Sequence, residues 1–293
     1  MSRIEFSDIK GLYPFRSNYF NIKGHNYHYL DEGAGNPVVM LHGNPTWSFF
    51  YRNMIKELSP RYRVIVPDHL GCGLSDKPQN FEYRLETHID NLENLLLTLN
   101  LENITLVMHD WGGAIGMGFA TRHPQRIKSL IILNSGAFSC DRLPLRIALC
   151  RMPSLGSMLI RRLNLFSSSA IHMAVTKKMP RDVQKGYLYP YQSYDDRVAV
   201  DKFVEDIPMS PLHRSYEVLL QIEHGLWMFR ENPVCIIWGM KDWCFTSHFL
   251  ERWALYYPQA YIHCMNDAGH YLVEDACPEI MSCVNDFLEA NKI

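Results

Sequence analysis

The sequence predicts an α/β fold in which a mostly parallel sheet is interrupted by one helical insertion. Short apolar runs of strand length alternate with stretches of helical spacing, both early and late in the chain. From about residue 137 to residue 229 the alternation stops, and residues 142–179 are rich in Leu, Met, Arg and Ser without a clear strand. We therefore expect a core formed by residues 1–136 and 230–293, and a helical cap formed by residues 137–229.

The elements follow one another in a regular order. Residues 19–22 and 25–30 are predicted to form an antiparallel hairpin because they flank a Lys-Gly turn. The later predicted strands are apolar and of strand length, as expected when helices cover both faces of a sheet. These strands span residues 37–41, 63–68, 104–108, 127–133, 234–239 and 260–265. The predicted helices outside the cap span residues 47–58, 88–99 and about 278–291.

Composition excludes several classes of function. The chain has 293 residues, is 47% hydrophobic and has a formal net charge of −2, so it offers no basic surface typical of nucleic-acid binding. Its eight cysteines lack C-x-x-C spacing, which favours reduced thiols over disulfides or zinc ligands. Neither a leader peptide nor an apolar run long enough to span a membrane is apparent. We expect a cytoplasmic protein with no integral membrane segment.

Asp110 occupies the most informative position in the chain. It follows the apolar run 104–108, where a buried strand should turn sharply into a helix, and Gly112 and Gly113 allow that helix to pack close to the strand. The pattern is the G-x-S-x-G nucleophile elbow with Asp110 in the serine position and Met108 in the first small position. Alternatively, Asp110 could simply cap the helix.

Two further residues complete a catalytic order. Asp242 follows the strand at 234–239, and His270 lies in the last loop, which gives the order nucleophile, acid, histidine of an α/β-hydrolase. Taken alone, Asp242 could be a turn residue and His270 a surface histidine. Their joint occurrence after the carboxyl ends of successive strands favours a shared site.

A carboxylate nucleophile indicates chemistry at carbon. It is ionised at neutral pH and can attack a saturated carbon directly, forming an ester and expelling an anion. That anion needs hydrogen-bond donors, for which the Asn44 amide and the Trp111 indole N–H are candidates. The backbone N–H groups of the same residues could form an oxyanion hole, and His270, oriented by Asp242, could activate water to hydrolyse the ester. This chemistry needs no metal and no cofactor, and we expect neither.

Three motifs resemble those of haloalkane dehalogenases, and the resemblance covers essentially the whole chain. The motifs are His42–Ser48, Pro67–Pro78 and His109–Gly113. The resemblance implies an α/β-hydrolase fold, with a mostly parallel eight-stranded sheet flanked by helices. It also implies Asp110 as nucleophile, His270 as base, Asp242 as its acid, and Asn44 with Trp111 as leaving-group binders. One dehalogenase subgroup carries a Glu acid after the strand that precedes the cap, but Asn134 stands there in this chain.

The cap sequence is similar to that of β-lactone decarboxylases of bacterial long-chain olefin biosynthesis. The similar segments are 165–167, 180–183, 186–191 and 203–208. The resemblance implies that Asp110 opens a cis-β-lactone bearing two alkyl chains, and that loss of carbon dioxide gives a cis-alkene and frees Asp110. Water is then not a reactant, which leaves the role of His270 open. It also implies a small hydrophobic substrate and assembly with other olefin-biosynthesis enzymes.

Other functions remain alternatives. A haloalkane dehalogenase would use the same attack by Asp110 and then hydrolyse the ester. An epoxide hydrolase would recruit cap tyrosines such as Tyr187 or Tyr191, although its usual loop has an aromatic residue where Asn44 stands. A non-catalytic receptor of the same fold would not need the nucleophile, the histidine and both anion donors together.

Overall fold

The computed structural model describes residues 3–293, and within them the strands form one eight-stranded sheet of order β1-β2-β4-β3-β5-β6-β7-β8. The strand β2 is antiparallel to both β1 and β4, and the remaining pairs are parallel. The strands are β1 Ser17–Ile22, β2 His25–Glu32, β3 Pro37–Leu41, β4 Arg63–Pro67, β5 Ile104–Asp110, β6 Ile127–Ser135, β7 Val234–Gly239 and β8 Tyr261–Met265. The predicted mostly parallel sheet is confirmed.

Helices connect the strands and cover both faces of the sheet. The helices are α1 Arg52–Leu58, α2 Leu85–Thr98, α3 Trp111–Arg122, α4 Leu145–Cys150, α5 Leu155–Ser157, α6 Leu165–Met173, α7 Arg181–Leu188, α8 Val198–Glu205, α9 Tyr216–Gly225, α10 Ser247–Tyr256, α11 Leu272–Asp275 and α12 Cys277–Ala290. A π-helical stretch, Met158–Arg162, continues α5 directly. In the described part of the chain, no helix has the length and apolar character needed to cross a membrane.

The central strands are buried because helices cover both of their faces. Every residue of β5 is buried, whereas β8, at the sheet edge, is largely exposed. Alternate residues of β5 enter two apolar clusters: Leu106 and Met108 face one side of the sheet, and Val107 faces the other. Because β3, β5, β6 and β7 run parallel to one another, their carboxyl ends meet at one edge of the sheet, where ligands of such folds bind.

The helix predicted from Trp47 begins differently. Residues Ser48–Tyr51 form a 3-10 turn, and the α-helix starts only at Arg52. The Ser48 backbone N–H donates to Asp68 Oδ1 at 2.7 Å, so a side chain of the next loop satisfies a donor that the helix start leaves unpaired.

Between β6 and β7 the described residues contain helices and no strand. Helices α4, α5, the π-helical stretch and α6 contact one another in sequence, whereas α9 packs against α2 and α3 of the core. The boundaries of the cap at residues 137 and 229 stay predictions, because contacts of this kind do not define a separate folding unit.

Candidate active site

Asp110 ends β5 and leads straight into α3, so its side chain is held at the carboxyl edge of the sheet. Its backbone has φ +52 and ψ −126, a strained conformation typical of a sharp turn at a functional site. The Ser135 hydroxyl donates to the Asp110 carbonyl at 2.6 Å and supports this turn. A side chain on Gly112 would collide with the Leu41 carbonyl, so only glycine lets α3 approach β3 this closely.

The Asp110 carboxylate is buried and its two oxygens have different surroundings. Oδ1 accepts a hydrogen bond from the Asn44 backbone N–H at 2.7 Å, and Oδ2 lies 3.6 Å from His270 Nε2. Burial raises the pKa of Asp110, and the opposing effects of His270 and of the backbone N–H groups of Asn44 and Trp111 do not cancel it. The carboxylate is therefore poorly solvated, which favours its reaction as a nucleophile.

His270 lies between two carboxylates. Its Nδ1 is 2.8 Å from Asp242 Oδ2, while Nε2 faces Asp110. Burial alone would lower the pKa of His270, but the charge of Asp242, the hydrogen bond to it and the charge of Asp110 together raise that pKa above its usual value. The site therefore favours the imidazolium form of His270.

Asp242 is fixed by neutral donors. Its Oδ1 accepts the backbone N–H groups of Cys244 at 2.7 Å and Phe245 at 3.0 Å. Its Oδ2 accepts the Asn134 side-chain amide at 2.9 Å as well as His270. Asn134 is also bonded to Gly239, whose N–H it accepts at 2.6 Å. Asn134 thus joins the ends of β6 and β7, a role that sequence reasoning did not assign to it.

The two candidate leaving-group donors line the same cavity as Asp110. The Asn44 side-chain amide donates to the Val200 carbonyl of α8 at 3.1 Å, and its second hydrogen remains available. The Trp111 ring packs beside Phe203, with the ring centroids 5.3 Å apart. Both positions suit donors to an anion leaving from a carbon bound near Asp110.

The cavity above Asp110 has a volume of about 580 Å³ and a largely apolar lining. Its walls include Phe138, Ile147, Phe166, Val204 and Phe249, most of them from the segment between β6 and β7. Asp110 and His270 lie among these apolar groups, so the cavity fits a hydrophobic substrate whose reacting carbon reaches the carboxylate.

Other predicted candidates lie outside the reacting positions. His109 Nε2 is bonded to the His270 carbonyl at 2.9 Å, and its ring stacks on Phe50, in agreement with a structural role. The hydroxyl of Tyr187 donates to Glu274 at 2.6 Å and that of Tyr191 to the Thr46 carbonyl at 3.2 Å. Neither tyrosine is part of the cavity lining.

The structure thus brings Asp110, His270, Asp242, Asn44 and Trp111 together, while the roles predicted for them stay predictions. Within residues 3–293, no cluster of three or more His, Cys, Asp or Glu side chains has the geometry to hold a metal ion.

The chain is similar to several known proteins. Residues 36–153 match the family model described as alpha/beta hydrolase fold. The chain is 45% identical to a cis-3-alkyl-4-alkyloxetan-2-one decarboxylase of Shewanella oneidensis, over 94% of this chain and 89% of the relative. It is 40% identical to a Xanthomonas campestris protein of the same name, over 90% and 93%. Haloalkane dehalogenase 2 of Mycobacterium tuberculosis is 30% identical, over 96% and 98%.

Solved structures share the fold. The haloalkane dehalogenase DatA of Agrobacterium tumefaciens C58 aligns with a TM-score of 0.84 at 22% identity, covering 94% of this chain and 97% of DatA. A putative ancestral haloalkane dehalogenase, AncHLD2, aligns with a TM-score of 0.86 at 23% identity, covering 94% and 99%. At such identities the likeness supports the predicted α/β-hydrolase fold and carries no statement about substrate.

Proposed function

This chain belongs to the cis-3-alkyl-4-alkyloxetan-2-one decarboxylase family of the α/β-hydrolase fold, and we propose that it converts cis-3,4-dialkyl-β-lactones to cis-alkenes and carbon dioxide. The observation that carries the proposal is the buried Asp110 carboxylate, 3.6 Å from His270 and open to an apolar cavity of about 580 Å³. Such a cavity suits a compact polar ring that bears apolar chains.

In the first step an oxygen of Asp110 attacks C4 of the lactone from the side opposite the ring oxygen. The C4–O bond breaks, the strained ring opens, and the ring oxygen becomes part of a carboxylate on C3. The Asn44 amide and the Trp111 indole N–H donate to that carboxylate as its charge develops. Oδ1 of Asp110, already bonded to the Asn44 backbone N–H, becomes the ester carbonyl oxygen.

In the second step the C3–carboxylate bond breaks, its electron pair forms the C3–C4 double bond, and the bond from C4 to Asp110 breaks. Carbon dioxide, alkene and the original Asp110 carboxylate are the products, so no water or proton is consumed. Back-side attack inverts C4 and leaves the Asp110 oxygen anti to the C3 carboxylate, with both alkyl chains on one side. Elimination from this arrangement gives the cis-alkene.

In this mechanism His270 acts through its positive charge. As an imidazolium 3.6 Å from Asp110 Oδ2, it stabilises the carboxylate that leaves in the second step. Asp242 supports this form of His270 through their 2.8 Å contact. A hydrolytic enzyme would instead need neutral His270, because only the neutral imidazole can take a proton from water.

The second candidate is a haloalkane dehalogenase. The 30% identity to haloalkane dehalogenase 2 favours it, and the same Asp110 attack would expel a halide toward Asn44 and Trp111. Epoxide hydrolysis is disfavoured because Tyr187 and Tyr191, the tyrosines expected to protonate the epoxide, are bonded elsewhere and do not line the cavity.

The decisive experiment offers purified protein a cis-dialkyl-β-lactone and, separately, 1-bromobutane. Gas chromatography measures alkene, and released bromide is titrated. We expect cis-alkene without bromide, and we expect no turnover in Asp110→Ala. Bromide release without alkene would refute the decarboxylase assignment, and turnover that survives Asp110→Ala would refute the role of the nucleophile. Absence of turnover on either compound would favour a non-catalytic receptor.

A second experiment separates the two routes through the ester. If the enzyme is a dehalogenase, His270→Ala should accumulate an alkyl ester on Asp110 after exposure to 1-bromobutane, visible as added mass on the intact protein. For a decarboxylase we expect no such adduct.

Three broader features belong to the same proposal. Residues 137–229 act as a cap that shields the cavity from water. The protein is cytoplasmic, and it assembles with other enzymes of olefin biosynthesis that supply the lactone. A reaction that makes such a lactone must precede this one, because the two alkyl chains and the ring are already present in the substrate.

A further inference from the structure

The helices that wall the cavity also expose an unusual amount of apolar surface. Eight of the seventeen large apolar side chains that are exposed in residues 3–293 lie between residues 145 and 173. Six of them are 44–76% exposed and define what we call the Leu/Met face: Leu145, Leu149, Met152, Met158, Leu163 and Leu165. Single exposed apolar residues are ordinary, but such a concentration indicates a surface that is covered in use.

Unpaired positive charge accompanies the Leu/Met face. Residues 141–178 contain seven Arg or Lys and a single acidic residue, Asp141, in a chain whose formal net charge is −2. Arg142, Arg146, Arg151 and Arg162 have no carboxylate within ion-pair distance among the described residues, whereas Arg161 of the same segment lies 3.7 Å from Asp195. The guanidinium groups of Arg142, Arg151 and Arg162 are therefore free to meet an external anionic surface, whereas that of Arg146 stacks on the Trp243 ring.

Two residues of the Leu/Met face also border the cavity. Leu149 and Leu165 are each 44% exposed and also line the cavity, as do the exposed side chains of Arg142 and Arg146. A ligand that passes between these side chains moves from the cavity above Asp110 to the surface that contacts the Leu/Met face, or in the reverse direction.

We propose that the Leu/Met face and its arginines dock the protein on an anionic lipid bilayer, with the cavity opening turned toward the lipid. Apolar side chains that enter the headgroup region, together with Arg that pairs with lipid phosphates, are the features of peripheral membrane surfaces. The part of the proposal that concerns substrate rests on the proposed function. A lactone with two alkyl chains dissolves in the bilayer, and its alkene product, which has lost the polar ring, returns there.

Vesicle flotation tests the docking without any substrate. We expect the full chain to float with vesicles that contain phosphatidylglycerol and to stay behind with pure phosphatidylcholine. Because the attraction is electrostatic, high salt should weaken it. Arg151→Gln and Arg162→Gln, neither of which lines the cavity, should each lower partitioning roughly fivefold. Leu145→Ser should lower it roughly tenfold.

Matched controls make the result interpretable. Leu255 is 72% exposed on α10, against 76% for Leu145, so Leu255→Ser should leave flotation unchanged. Lys56→Gln removes an exposed charge from α1 and serves the same purpose for the arginines. Equal loss in the controls, or flotation with neutral vesicles alone, would overturn the proposal. A dimer that dissociates in Leu145→Ser without any vesicle binding would assign the face to a second copy of the chain instead.

Catalysis gives an independent measurement. With lactone held in anionic vesicles, the Arg151→Gln, Arg162→Gln double variant should form alkene more slowly in proportion to its lost binding. With a short-chain lactone dissolved in buffer, its rate should match that of the unaltered protein. Equal rates in both settings would overturn the link between docking and substrate uptake. A protein that floats but makes no alkene would contradict the decarboxylase assignment and leave the docking intact.

Discussion

Replacing Asp242 with asparagine removes one negative charge from beside His270 without changing the size of the side chain. Oδ1 of Asp242 accepts two backbone N–H groups, so the oxygen of asparagine will keep that place. The amide nitrogen must then occupy the position of Oδ2, where it meets two donors, His270 Nδ1 and the Asn134 amide. The substitution therefore breaks the 2.8 Å bond to His270 and removes the main cause of its raised pKa.

The expected loss differs between the two chemistries. In decarboxylation His270 stabilises the leaving Asp110 carboxylate by its charge, 3.6 Å from Oδ2. Loss of a charged contact worth about 1.5–3 kcal/mol should lower alkene formation roughly 10- to 100-fold. In hydrolysis His270 must act as a correctly oriented base, and the same change in a triad costs about 10⁴-fold.

The pH profile gives a second measurement. A raised pKa means that His270 is protonated below it and loses its proton as pH rises through it. Alkene formation also needs ionised Asp110, whose pKa burial raises, so the rate should fall at low pH. On the alkaline side the rate should decline as His270 loses its proton, and in Asp242→Asn that decline should move to lower pH. A hydrolase shows the opposite dependence, because its activity rises as His270 becomes neutral.

The assay measures alkene by gas chromatography across pH, with Tm recorded for each variant. Asp267→Asn is the control: Asp267 lies in the loop that carries His270, and its side chain is exposed and paired with Lys241. An Asp242→Asn variant that folds normally and keeps both the rate and the pH profile would show that Asp242 does not act through His270.

Three further substitutions have definite expected results. Trp111→Phe keeps the ring that packs beside Phe203 but removes a donor to the departing carboxylate, so alkene formation should fall roughly 10- to 100-fold, and an unchanged kcat would contradict the role of the indole. Gly112→Ala drives a methyl group into the Leu41 carbonyl and should lower Tm by roughly 10 °C, which calorimetry can measure. An unchanged Tm would mean that α3 can move away from β3. Tyr187→Phe breaks a bond outside the cavity and should cost about 1 kcal/mol in urea unfolding while alkene formation is retained, whereas an epoxide hydrolase would lose activity.

Asp110, Asp242 and His270 could be predicted from the sequence because local sequence patterns fix their positions. The apolar run before Asp110 and the glycines after it define the turn that carries the carboxylate. The order of Asp242 and His270 along the chain places both at the carboxyl ends of later strands. These features depend on residues a few positions apart, and helical or strand periodicity encodes them directly.

The hydrogen bonds that hold these residues in place could not be predicted from the sequence in the same way. Asn134 bonds Gly239 and Asp242, more than a hundred positions away, and nothing in its local sequence marks that partnership. The positive φ of Asn134, +29, at the end of β6 becomes visible only in the structure. The cavity shape likewise depends on packing among α4, α6 and α8, where Ile147 and Val204 are buried while Leu145 and Leu165 are exposed. Helices this short do not mark that difference by a clear apolar periodicity.

The hydrogen bond from the Asn44 side-chain amide to the Val200 carbonyl links ring opening at Asp110 to the position of α8. The Asn44 amide should donate to the carboxylate that forms when the ring opens. It is oriented by a carbonyl of α8, in the segment that walls the cavity. If α8 moves away to admit substrate, the amide loses its orientation and ring opening loses a donor. A substitution that displaces α8 should therefore slow the step that forms the ester, even though α8 contributes no group to the reaction.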